Sequence, residues 1–202
     1  MCMEKTPWEK AVEFHGHSCP GLAIGYRVAE IAMQRLRQAR SADEELVAVV
    51  ENDACGIDAV MLLTGCTLGK GNLIYRDLGK QVYTFGSRTA NSALRIAVKD
   101  TTGKPDPETA ELRKKVFGGA ANSQEKARFQ AIQARRIEDI LNMPEEEFCQ
   151  AGEIDFKFPA KASIFPSVTC SRCGERVMEP RARLREGQPV CLDCFEEYTR
   201  GW

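Results

Sequence analysis

Two Cys-x2-Cys pairs close the chain, Cys170-Ser171-Arg172-Cys173 and Cys191-Leu192-Asp193-Cys194, with 17 residues between them. Each pair puts two sulfurs on one side of a tight bend, and two such pairs close a tetrahedron around zinc. Gly174 follows the first pair and suits the left-handed turn of a knuckle. The spacing therefore predicts a small zinc-nucleated module over 170–202, with Cys170, Cys173, Cys191 and Cys194 as ligands. A hairpin strand is expected between the pairs, from Arg176 to Leu184, and a short helix after them from Phe195 to Tyr198. Four protein ligands leave no open position, so this zinc is structural rather than catalytic.

Nine cysteines in all are too many to ignore. Their odd number and the lack of an apolar leader after Met1-Cys2-Met3-Glu4-Lys5 favour ligands and free thiols over disulfides, and a cytoplasmic setting. A net charge of −1 disfavours a chain-wide nucleic-acid role, and no apolar run reaches membrane-spanning length. In the terminal module six arginines meet six acidic residues. Nucleic acid is therefore not the favoured partner, although Arg181, Arg183 and Arg185 are expected to share one strand face.

The rest of the chain, 1–160, reads as one α+β domain joined to the module by a linker over 161–169. A short helix over 6–14 precedes a longer one from Pro20, whose apolar positions recur at helical spacing. Leu46–Val50 is a buried strand, Ile57–Leu63 a helix and 65–72 a glycine-rich loop. Strands follow at 73–77, 80–86 and 92–99. Helices then begin at Asp106-Pro107 and at Asn122, the latter with a capping box to Glu125 and a run to Asn142. Ile154–Phe158 alternates as a last strand.

Both histidines of the chain lie in Phe14-His15-Gly16-His17-Ser18-Cys19-Pro20-Gly21. Two imidazoles and a thiol within five residues, just before a helix, make half of a metal site of the zinc or transition-metal type. The helix N-terminus is expected to lower the Cys19 pKa. Cys55 and Cys66 are candidates for the other half; the competing reading of each is a small buried hydrophobe. Asp53 and Asp58 flank Cys55 as groups that could orient ligands. Lys70, in Gly69-Lys70-Gly71-Asn72, offers an anion site, although the Walker spacing fails.

Three motifs in order, His15-Gly16-His17-Ser18-Cys19-Pro20-Gly21, Asn52–Ala59 and Gly65–Asn72, resemble the FmdE family, which takes its name from a component of molybdenum/tungsten formylmethanofuran dehydrogenase. The terminal module resembles the four-cysteine finger of DksA/TraR proteins, a treble clef. The first resemblance implies a core like the glyceraldehyde-3-phosphate dehydrogenase catalytic domain, an intimate homodimer, and a metal region at His17, Cys19 and Cys55 with His15 and Cys66 nearby. Three functions follow as expectations. One is an enzyme or cofactor-handling protein associated with a molybdenum/tungsten enzyme. The second is a metal- or ligand-responsive regulator whose finger meets nucleic acid or RNA polymerase, and the third a purely structural accessory protein.

Overall fold

Leu46–Val50 (β1) is buried along its whole length, because it is an interior strand covered on both faces. The computed structural model describes residues 4–100 and 107–197 and divides into two units, Met1–Lys161 and Ala162–Trp202. In the first unit β1 is flanked by parallel β2 (Leu73–Tyr75) and antiparallel β3 (Val82–Ser87). β4 (Ser92–Val98) and β5 (Cys149–Glu153) extend the sheet antiparallel, giving the order β2-β1-β3-β4-β5. One face carries Leu46, Ala48, Val50, Tyr83, Phe85, Leu94 and Ile96 into a single core with α2 (Pro20–Leu36) and α5 (Ser123–Asn142). The class is α+β.

α1 (Pro7–His15) and α3 (Gly56–Thr64) complete the helices that bear on function. α1 opens with a capping box between Thr6 and Glu9, and α5 with the expected one between Asn122 and Glu125. α4 spans Pro107–Phe117; its expected cap, Asp106, lies outside the described residues.

The expected strand at Ile154–Phe158 is a correction. The strand lies one step earlier, at β5, entered through a single turn, α6 (Glu145–Phe148), that buries Phe148. The last sheet bond runs from Ile154 N–H to the Ala93 carbonyl. Beyond it the alternation of Phe156 and Phe158 serves a different contact. Their rings meet edge to face at 5.1 Å and lie over Gly86, where a Cβ would come within 2.7 Å of Phe158.

In the second unit β6 (Ser167–Thr169) pairs with β7 (Arg176–Met178), and β8 (Arg183–Arg185) with β9 (Gln188–Val190). The segment read as the end of a linker is thus a strand of the finger. Arg176–Leu184 is not one strand, because Glu179-Pro180-Arg181 forms a 3-10 turn that breaks it. Residues 195–197 are irregular, and Tyr198 lies outside the described residues. No helix among the described residues is long and apolar enough to cross a membrane.

Candidate metal centre

α1 stops at His15 because Gly16 takes a left-handed φ of 92°. Three residues later Cys19 caps α2, its sulfur accepting the Leu22 N–H at 3.3 Å. Two helix ends therefore meet across Gly16-His17-Ser18, with both imidazoles and the thiol between them. His15 Nδ1 lies 2.7 Å from Asp58 Oδ2, on the first turn of α3. An ionised Asp58 accepts a hydrogen bond from the Nδ1 proton, which leaves the Nε2 lone pair free. That nitrogen is 3.9 Å from Cys19 Sγ, and the His17 ring centroid is 4.5 Å from that of His15. Each of His15, His17 and Cys19 offers a ligand atom within 4.8 Å of the other two. Two ligands on a tetrahedral zinc, one nitrogen and one sulfur, stand about 3.6 Å apart. The trio fits such an ion with little adjustment.

Cys55 reaches this region because three glycines let α2 and α3 nearly touch. A Cβ on Gly25 would lie 2.0 Å from the Gly56 carbonyl oxygen, and one on Gly56 would lie 2.9 Å from the Gly21 oxygen. A Cβ on Gly21 would sit 3.8 Å from both Cys19 Sγ and Cys55 Sγ. The two thiols lie within hydrogen-bonding reach of each other, Cys55 exposed and Cys19 half-buried. Burial pushes the Cys19 thiol pKa up; the Leu22 N–H opposes this, while the Cys55 sulfur adds to it. The expected lowering by the helix end is therefore overturned in the metal-free protein.

Cys66 is elsewhere. It lies past the C-terminal end of α3, roughly 14 Å along the helix from Cys55, fully buried in the apolar core. It is the small hydrophobe of the competing reading, and burial pushes its thiol pKa up. Cys149 is likewise a core residue. Lys70 is occupied: its Nζ donates to the carbonyls of Ser41, Ala42 and Asp43 at 3.1–3.3 Å. The loop's Thr67 N–H goes to Asn72 Oδ1 and its Lys70 N–H to Thr67 Oγ1. Such a loop has spent its donors on itself, which removes the basis for an anion site. Gly21, Gly25 and Gly56 carry no motif that marks them as contact residues; their spacing of four along α2 is the signal that points to a close helix approach.

In the finger, ligand atoms of Cys170, Cys173, Cys191 and Cys194 all lie within 4.8 Å of one another. Cys173 Sγ and Cys191 Sγ are 3.9 Å apart, close to the edge of about 3.8 Å in a zinc–thiolate tetrahedron. N–H groups of Cys173 and Cys191 draw the Cys170 pKa down to about 6, while the crowding sulfurs push Cys194 up to about 12. Four sulfurs this close cannot all be thiolates without a cation among them.

Sequence comparison matches this layout. A family model described as FmdE, molybdenum formylmethanofuran dehydrogenase operon, covers residues 14–150. This chain belongs to the FmdE family. The prokaryotic dksA/traR C4-type zinc finger model covers residues 163–200, so this FmdE-family chain carries a zinc-binding finger. A probable S-adenosyl-L-methionine-binding protein of Archaeoglobus fulgidus is 35% identical over 196 residues, 94% of this chain and 52% of its own length. The chain thus spans about half of that relative. An FmdE-like protein of tungsten formylmethanofuran dehydrogenase type, from Syntrophus aciditrophicus, shares the fold, with a TM-score of 0.61 and 22% identity. The match covers 92% of this chain and 88% of that structure.

Proposed function

We propose that the core holds zinc or another transition metal on His15, His17 and Cys19, with Cys55 completing the set. In this reading the protein is an accessory or cofactor-handling member of its family, working with a molybdenum- or tungsten-dependent enzyme. The observation that carries the reading is the meeting of three ligand atoms within 4.8 Å at the junction of α1 and α2, beside a fourth sulfur. The metal would supply Lewis acidity or a docking point for a sulfur- or oxygen-bearing ligand. His15 and Cys19 hold it, and Asp58 fixes the ring that presents Nε2. The protein is further proposed to be a cytoplasmic homodimer, whose stoichiometry sedimentation equilibrium would establish. The name of the Archaeoglobus relative makes S-adenosyl-L-methionine the first small ligand to assay on metal-loaded protein.

Elemental analysis of protein purified without air tests the core site. About two metal ions per chain are expected, falling to about one in His17→Ala with an unchanged melting temperature. One ion per chain in the parent protein would leave the finger alone and remove the core site. Asp58→Asn should keep the fold yet weaken the core metal about 10- to 100-fold in chelator competition. An unchanged affinity would mean that the His15–Asp58 bond does not orient a ligand.

The regulator alternative draws on the DksA/TraR-type finger. Two of its arginines are already engaged: Arg185 pairs with Glu196 at 2.8 Å, and Arg172 approaches the same carboxylate at 3.6 Å. With Arg181 off the strand, the expected three-arginine face reduces to Arg183 and an occupied Arg185. That arrangement favours the accessory reading over contact with phosphates.

A further inference from the structure

Cys19 and Cys55 are the two thiols of the first unit that have solvent access among the described residues; Cys66 and Cys149 are sealed in the core. They come from different helices, and the glycine contact of α2 with α3 sets them side by side. Both are anchored: Cys19 is held by the Leu22 N–H and Cys55 precedes the first turn of α3. His15 Nε2, backed by Asp58, is 3.9 Å from Cys19 Sγ and placed to take its proton.

We propose that Cys19 and Cys55 are an oxidisable dithiol, which a peroxide converts to a disulfide when no metal is bound. The exposed Cys55 sulfur attacks one peroxide oxygen, the O–O bond breaks, and Cys55 becomes a sulfenic acid as the peroxide's other half leaves as an alcohol or water. Cys19 sulfur then attacks Cys55 sulfur, passing its proton to His15 Nε2. The S–O bond breaks, and water leaves carrying a proton returned from that imidazole. Two thiols lose two electrons and the peroxide gains them. A metal bound to both sulfurs withholds the lone pairs that start the sequence, so occupancy and oxidation exclude each other. This exclusion rests on the core site proposed above, whereas the cross-link itself requires only the neighbouring sulfurs.

The test uses the full chain, reduced, either stripped by chelator or reloaded with zinc, then exposed to hydrogen peroxide. Remaining thiols are blocked and the digest is read by mass spectrometry. Stripped protein should yield a Cys19–Cys55 peptide pair lighter by two hydrogens than its reduced parts, absent in Cys55→Ser. Zinc at ten times its dissociation constant should slow the cross-link roughly tenfold. Recovery of Cys19 and Cys55 as separately blocked or separately oxidised peptides from stripped protein would overturn the proposal. A cross-link that forms equally fast with zinc present would uphold the dithiol and instead remove the core metal.

Discussion

Gly25→Ala should lower the melting temperature of the first unit and abolish its proposed metal site. On helix propensity alone the change ought to stabilise α2 by about 1 kcal/mol. The packing reverses that sign. The new Cβ would stand 2.0 Å from the Gly56 carbonyl oxygen and 2.3 Å from its Cα, both backbone atoms that no rotamer change can move aside. The two helices must part by roughly 1 Å or more, and overpacking of this kind costs about 3 kcal/mol or more. For a domain of this size the loss corresponds to a fall on the order of 10 °C. Because the same contact brings Cys55 to Cys19, the core metal should be lost from Gly25→Ala while finger zinc stays. Differential scanning calorimetry with metal analysis reads both effects. A melting temperature that rises, or a retained second metal, would show that the helix contact does not govern the site.

Cys170→Ser, or removal of zinc by a chelator, should unfold the finger and leave the first unit intact. Among its described residues only Cys170 and Val190 are buried hydrophobics, so this unit has almost no apolar core. Modules of about 40 residues or fewer seldom fold without a metal or disulfides. A structural zinc contributes about 10–16 kcal/mol in such modules, far more than one buried valine supplies. Hydrogen exchange followed by mass spectrometry should find amides of β6–β9 unprotected in the zinc-free protein and β1–β5 unchanged. Persisting protection at Val190 without metal would contradict this account.

What could be read from the sequence was what repeats or obeys a spacing rule. The buried run of β1, the helical period of α2, the capping box at Asn122 and the paired cysteines each carry their signal within a few residues. Residues whose role depends on distant neighbours were misread. Cys66 and Cys55 are both thiols at an end of α3, and only the packing decides that one is core and the other exposed. Lys70 resembles an anion ligand until its three carbonyl partners are seen. Phe156 and Phe158 alternate as strand residues do, yet the alternation fits them to the bare backbone of Gly86. The convergence of His15, His17 and Cys19 was legible because five residues contain it. The approach of Cys55 was not, since it depends on glycines whose contribution is the absence of a side chain.

That contrast in chain separation bears on assembly order. His15, His17 and Cys19 need only the junction of two adjacent helices, whereas Cys55 arrives after β1 has entered the sheet and α3 has docked. A cation collected early by the local trio would be exchangeable while the chain is still folding, and would be closed in once the last sulfur swings into place. Selection of the ion would then fall to the folding polypeptide, and retention to the finished one.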